Sequence, residues 1–225
     1  MSERVERRAL IFGASGLIGG LLVNMALSHQ AFAGVTAVTR RPLDVRHPLL
    51  RNAVVDFDDL SQHAAALAAT DVFCALGTTM RAAGSQAAFR TVDHDYIVAA
   101  ARLARAGGAT KFMLVSSAGA RAGAPNFYLG VKGEAEEAVT RLGFPTLHIF
   151  RPGLLLARRE ESRPGERFGV AVAPWLGPLM VGGLRKYRGI HPETVAAAMI
   201  GASMSGMTGT HIHHNDDMLR LTAEF

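Results

Sequence analysis

Short apolar runs bounded by turn residues alternate along this chain with longer stretches whose apolar positions recur at helical spacing. The runs lie at 8–12, 35–39, 53–55, 71–76, 111–116 and 146–150, and their uniform apolarity suits strands covered on both faces. Between them, 17–29, 59–69, 86–106 and 126–142 carry the helical pattern. Strand and helix in alternation predict βαβ units, hence an α/β, doubly wound, mostly parallel sheet. Beyond Pro152 the pattern becomes irregular, with Pro164, Pro174, Pro178 and Pro192 cutting the chain into short pieces before a helix over 192–204. A small capping segment of this kind is expected over the carboxyl ends of the strands, where such sheets bind ligands. The closing THIHHNDDMLRL reads as a final strand of mixed exposure.

With 225 residues, 49% of them hydrophobic, the chain can bury one large core. No linker-like tract or internal repeat divides it, so 1–225 is read as a single domain, with 154–190 supplying a substrate pocket. Arg7 and Arg8 ahead of the apolar stretch 9–27 mimic a signal peptide or membrane span, but the glycines crowding its first half suit a strand, a tight turn and a helix start instead. A lone cysteine, Cys74, sits in the apolar run DVFCAL, which excludes an intramolecular disulfide and points to a buried thiol in a reducing, cytoplasmic compartment. The net charge of +5 comes mostly from arginines spread along the chain, so neither nucleic acid nor membrane is an expected partner.

GASGLIG, Gly13 to Gly19, follows the strand RALIF and opens a helix. At such a junction Gly13 permits a tight turn, Gly16 lets a pyrophosphate approach the backbone, and Gly19 lets the helix pack on the strand. Ser15, Leu17 and Ile18 complete this dinucleotide-binding turn. The second strand ends in Thr39-Arg40-Arg41-Pro42, where arginine suits a ribose 2′-phosphate and favours NADP(H) over NAD, with Asp44 close by as the contrary sign. Asp56 and Phe57 follow the third strand, an acid for the adenine amino group and an aromatic to pack on its ring. Leu76, Gly77, Thr78 and Thr79 end the fourth, where glycine lets the chain pass under a cofactor; an ordinary turn is the alternative.

Tyr128 and Lys132 stand four apart on one helix face. A lysine beside a phenol lowers its pKa and lets it exchange a proton with a substrate oxygen during hydride transfer. Ser116 and Ser117 end the preceding strand, where either hydroxyl could hold a carbonyl. His211, His213, His214, Asp216 and Asp217 are read as an exposed alternating strand, with no metal site expected. Arg158, Arg159, Arg163, Arg167 and Arg185 around the presumed pocket hint at an acidic substrate or partner.

Together GASGLIG, TRR, SSAG, YLGVK and FRPG resemble the short-chain dehydrogenase/reductase superfamily in its atypical or extended branches. More narrowly, VDHDYIVAAARLARAGG, YLGVKGEAE and FRPGLLLARREESRPGE are similar to the Tat-interacting-protein-like NAD(P)-binding oxidoreductases, a likeness running from about residue 8 to 200. The resemblance implies a Rossmann fold with NADP(H) across the glycine turn, and Arg151, Pro152 and Gly153 passing near the nicotinamide. It further implies Ser117 or Ser116 orienting a carbonyl, Tyr128 as acid/base, and Lys132 binding the nicotinamide ribose while tuning Tyr128. Many members place an asparagine in the long helix to complete a proton relay, whereas this chain offers Asp93, His94 and Asp95. Two functions are therefore expected as alternatives. The first is an NADPH-dependent oxidoreductase acting on a small carbonyl or alcohol. The second is an NADP(H)-binding sensor or protein-interaction module with little or no turnover, the exposed helix faces leaving room for a homodimer or protein partner.

Overall fold

The computed structural model describes residues 6–156 and 186–222. Among these described residues seven strands, β1 (Arg7–Phe12), β2 (Phe32–Thr39), β3 (Leu50–Val54), β4 (Asp71–Cys74), β5 (Lys111–Val115), β6 (Thr146–Phe150) and β7 (Gly209–His213), form one sheet in the order β3-β2-β1-β4-β5-β6-β7. Every neighbouring pair is parallel. The helices are α1 (Leu17–Ser28), α2 (Met80–Ala83), α3 (Gln86–Arg90), α4 (Tyr96–Ala106), α5 (Phe127–Thr140), α6 (Pro192–Met204) and α7 (Asn215–Thr222).

The pleat of β1 explains the layering. Ala9 and Ile11 point to one face, where they meet Leu22 of α1, Met199 of α6 and Met218 of α7, together with Phe73, Met113 and Phe150 of the sheet. Leu10 and Phe12 point to the other, against Ile97 and Ala101 of α4 and Val139 of α5, with Val72, Phe112 and Leu147. Burying each large apolar side chain contributes about 1.5 to 3 kcal/mol, so the central strands are held from both sides. At the amino ends of the strands Arg7 grips the buried Asp71 with two bonds, Nη2 to Oδ1 at 2.5 Å and Nε to Oδ2 at 3.1 Å, and reaches the Ser203 carbonyl at 2.8 Å. β1, β4 and α6 are thereby tied at the end of the sheet remote from the glycine turn.

The pattern of apolar runs places every strand, and the structure moves some boundaries. β3 starts at Leu50, earlier than 53, because this edge strand is only half covered and its apolar signal is short. The stretch read as a helix over 59–69 is a 3-10 helix, Phe57–Leu67, interrupted at Asp59 (φ −130°, ψ 43°). The run 86–106 is helical throughout but contains a π-turn, Thr91–Asp95. The closing segment departs most: only Gly209–His213 is strand, and Asn215–Thr222 is helix. The Asp217 carboxylate accepts from the His214 amide at 2.8 Å and caps this turn, while Met218 and Leu221, three apart, bury its inner face.

β6 and β7 bring His148, His211 and His213 together on the α6 face, their rings stacked with centroids 5.3 Å (His148–His211) and 5.0 Å (His148–His213) apart. His148 Nδ1 lies 2.8 Å from His213 Nε2, so one ring donates to the other in neutral form. Burial, aided by the neighbouring rings, pushes His148 down to about 3, and burial pushes His213 down to about 4. Above pH ~6.5 both the folded and unfolded chains hold these rings neutral. Below it the unfolded chain takes up protons that the folded chain refuses, so stability falls as pH drops from 6.5 toward 4. Urea unfolding between pH 7 and 5 is expected to show a loss on the order of 2 kcal/mol, reduced in a His148→Phe variant; equal slopes in the two proteins would remove the histidine stack from the acid response.

Candidate active site

Two adjoining cavities run along the carboxyl ends of the strands and meet at Gly16, Ala75, Leu76 and Gly77. The crevice opens between β1 and β4, where the strand order reverses, as expected of a doubly wound sheet.

The smaller cavity, about 210 Å³, is walled by Gly13, Ser15, Thr39, Arg40, Phe57 and Tyr96 among others. Gly13 adopts φ +78°, and a Cβ there would lie 2.6 Å from the Ala75 carbonyl, so both conformation and space demand glycine. A Cβ on Gly19 would run into the Gly13 carbonyl. Gly16 is the N-cap of α1 and contributes no capping side chain, and the first turn holds no acid. The amides there remain available to an anion, and this backbone cradle fits a dinucleotide pyrophosphate. Thr39, buried, donates through its hydroxyl to the Arg41 carbonyl at 2.7 Å and accepts from Asn52 at 2.9 Å, which fixes the turn carrying Arg40.

Not every residue named from the sequence reaches this cavity. Arg41 is exposed and absent from its wall, and the Asp56 carboxylate accepts from the Asp58 amide at 3.0 Å, capping the 3-10 helix. Tyr96, which carries no sequence signal, lines the cavity beside Phe57 where Asp56 was expected: its ring lies 5.3 Å from that of Phe57 and its hydroxyl donates to Asp58 at 2.7 Å. That bond is the main reason the Tyr96 phenol is pushed up to about 12.

The larger cavity, about 680 Å³, is lined by Ser116, Ser117, Tyr128 and Lys132, by Leu17, Ile18 and Thr78 at one end, and by Pro152, Gly153, Leu154, Leu155 and Tyr187 at the other. Ser116 follows β5 and is buried, its hydroxyl without a hydrogen-bond partner among the described residues, whereas Ser117 is half-buried. Asn126 caps α5 by accepting from the Leu129 amide at 3.1 Å, so Tyr128 projects from the first turn with its ring 5.4 Å from Phe89. Lys132, one turn on, is buried, and its Nζ lies 2.8 Å from Asp93 Oδ1; Asp93 Oδ2 accepts from the Thr78 amide at 2.8 Å. Burial pulls the Lys132 ammonium down, and Asp93, with a smaller contribution from Tyr128, more than restores it, so the group titrates above the ordinary lysine value. His94 faces Asp95 at 2.7 Å, on the surface.

Arg151 does not line the cavity. Its guanidinium grips the buried Glu136 through Nη2 at 2.5 Å and Nε at 3.0 Å, and so ties the chain after β6 to α5. Burial pushes the Cys74 thiol of β4 up to about 12, which leaves it inert. Tyr187, Leu154 and Leu155 carry no sequence signal because they lie in the irregular stretch. Arg158, Arg159, Arg163, Arg167 and Arg185, with most of the 154–190 segment, lie outside the described residues.

Residues 13–165 match a family described as NAD(P)H-binding. Protein HTATIP2 of Rattus norvegicus is 43% identical over 196 residues, covering 85% of this chain and 74% of the relative. The protein FMP52, mitochondrial, of Candida albicans is 32% identical over 222 residues, covering 94% and 96%, and the corresponding protein of Aspergillus clavatus is 33% identical over 206 residues, covering 88% of each. Among solved structures, MoeE5 in complex with UDP-glucose and NAD superposes with a TM-score of 0.67 at 18% identity over 96% of this chain and 81% of that one. UDP-glucose 4-epimerase of Thermotoga maritima gives 0.69 at 14% over 96% and 82%. These two likenesses establish the fold. The chain belongs to the NAD(P)H-binding family, with HTATIP2 and FMP52 proteins among its relatives. The expected cytoplasmic location is overturned, since the fungal relatives are named mitochondrial and a reduced thiol does not distinguish the two compartments.

The contact between Gly19 and Gly13 makes a direct test of the cradle. A Gly19→Ala variant is expected to lose about 1 to 3 kcal/mol in urea unfolding and to bind nicotinamide nucleotides measurably more weakly; an unchanged unfolding midpoint would mean that the turn and α1 can separate freely.

Proposed function

We propose that this member of the NAD(P)H-binding family is an NADPH-dependent oxidoreductase that transfers hydride to or from a small carbonyl or alcohol. The observation that carries the reading is the convergence of Ser116, Tyr128 and Lys132 on one cavity that continues into the glycine cradle. A module that only bound nucleotide would have no need of an acid/base beside the far end of its cofactor.

Bound NADPH would supply the hydride. Gly13, Ser15, Gly16, Leu17 and Ile18 would hold the pyrophosphate, Phe57 and Tyr96 the adenine, and Arg40 the 2′-phosphate by charge-assisted bonds. Lys132 and Thr78 would take the ribose nearest the reacting carbon. In carbonyl reduction Tyr128 gives its phenolic proton to the substrate oxygen as the neighbouring carbon accepts hydride; in alcohol oxidation the phenolate takes that proton back. Ser116, whose buried hydroxyl has no partner among the described residues, would donate to the same oxygen and replace the water lost on binding. Ser117, the other serine on this wall, is the less confined of the two.

Nicotinamide fluorescence titrations with NADPH and NADH test the cofactor. NADPH is expected to bind at least about tenfold more tightly, and the Arg40→Ala, Arg41→Ala double variant to lose that preference, with Arg40→Ala alone accounting for most of it. Equal affinities in the wild type would return the cofactor to NAD. Against a panel of small aldehydes and ketones, Tyr128→Phe is expected to lower kcat by about 100-fold or more with NADPH affinity unchanged. Full activity in that variant would exclude tyrosine as the proton donor.

A further inference from the structure

Two opposite charges are buried together in the wall of the larger cavity. Asp93 is 0% exposed, and the side chain of Lys132 is 6% exposed. They come from different elements, Asp93 from the π-turn inside the helical run and Lys132 from α5, and they meet with Nζ to Oδ1 at 2.8 Å. The second carboxylate oxygen accepts from the Thr78 amide, so Asp93 is held from two sides. A Cβ on Gly77 would lie 3.3 Å from Asp93 Oδ1 and 3.5 Å from Lys132 Nζ, which puts the pair directly beneath the bare backbone at the cavity floor. A π-turn carries one extra residue per turn, and here that residue count turns Asp93 inward while Thr91 and Asp95 stay toward the surface.

We propose that Asp93 is a positioning residue for this site: by pairing with Lys132 inside the fold it keeps that side chain an ammonium and aims it into the cavity beside Tyr128. A lysine buried without a counter-charge releases its proton and becomes an amine. Three groups act on Lys132 from the elements around it: Asp93 from the helical run, Tyr128 one turn earlier on α5, and Cys74 from β4. The thiol is held neutral by burial, which leaves Asp93 as the ionised partner. An ammonium has three N–H donors, so with one spent on Asp93, 2.8 Å away, two would serve a ribose hydroxyl or the phenol. The part of the proposal that concerns the charge of Lys132 stands on geometry, whereas its consequence for turnover rests on the hydride-transfer reading above.

The chain has three lysines, Lys111, Lys132 and Lys186, so side-chain NMR of protein labelled with 13Cε-lysine gives three signals, with Lys132 assigned by its loss in Lys132→Met. In the wild type the Lys132 signal is expected to stay at its ammonium position from about pH 6 to 10, and in Asp93→Asn, which preserves shape and an acceptor for the Thr78 amide, to move within that window. NADPH affinity, read by nicotinamide fluorescence, is expected to hold level between pH 7 and 9 in the wild type and to fall about tenfold in Asp93→Asn. A Lys132 signal as flat in Asp93→Asn as in the wild type overturns the proposal. Should Asp93→Asn fail to fold, Lys132→Met gives the reciprocal test. It strands the carboxylate without its counter-charge, a cost that lower pH relieves, so its melting temperature relative to wild type is expected to rise as pH falls, and a difference independent of pH overturns the proposal. Wild type that binds neither NADPH nor NADH would sink the hydride-transfer reading, while the lysine titration would still decide the role of Asp93.

Discussion

A parallel sheet has two unlike edges, and in this chain that asymmetry governs where chemistry can sit. All seven strands point the same way, so their carboxyl ends and the helix N-termini that follow them gather along one edge. The connections leave β1 toward one side of the sheet and β4 toward the other, which parts the loops between them and leaves a crevice. At the mouth of that crevice the chain after β1 must pass within contact of the chain after β4. Gly13 makes the passage possible, because a side chain there would meet the Ala75 carbonyl. At the opposite end Arg7 ties β1 to Asp71 of β4 and to the end of α6.

Charge fixes what the sheet leaves free. Tyr128, Lys132 and Glu136 follow one another at four-residue spacing along α5, and the two ionised members each find a partner on a separate element: Asp93 on the helical run and Arg151 after β6. An unpaired charge at these depths costs several kcal/mol, so α5 has one rotation about its axis that satisfies both pairs. The phenol of Tyr128 inherits its direction from that rotation. Its place in the cavity therefore depends on residues at two other points in the chain, and on the Asn126 cap that begins the helix.

Features that repeat with a period, or that demand a particular backbone, were legible in the sequence. The strands of the sheet, the glycine turn and the spacing of Tyr128 and Lys132 fall in this group. The π-turn was not, since TVDHD differs from an α-helical stretch only in the hydrogen-bond register its neighbours impose. The role of Tyr96 was hidden for the same reason: it reads as one more half-buried helical position until Phe57 and Asp58 are brought beside it. The closing helix was misread because HIH alternates like a strand, and the pattern was carried past His213. The polar group Asn215-Asp216-Asp217 ahead of Met218 and Leu221 was a usable helix-start signal. Compartment was misjudged on a different ground, because a lone cysteine excludes an intramolecular disulfide and nothing further.

The same contrast separates the two halves of the cleft. A dinucleotide is a fixed object whose phosphates are met by main-chain amides, so its site leaves a signature in glycines and helix starts that any reader of spacing can find. Around the larger cavity the wall beyond Gly153 is built from side chains, Leu154, Leu155 and Tyr187, set by a bridge between Leu155 and Ile190 and by Asn215, which accepts from the Gly153 amide at 3.0 Å and donates to the Arg188 carbonyl at 2.8 Å. None of these contacts has a period. A pocket assembled in this way can change its lining without disturbing the sheet, whereas the cradle at Gly13 cannot change at all without closing. The glycine-lined half of the cleft is thus constrained by the backbone, and the half beyond Gly153 by side chains that the fold leaves free to vary.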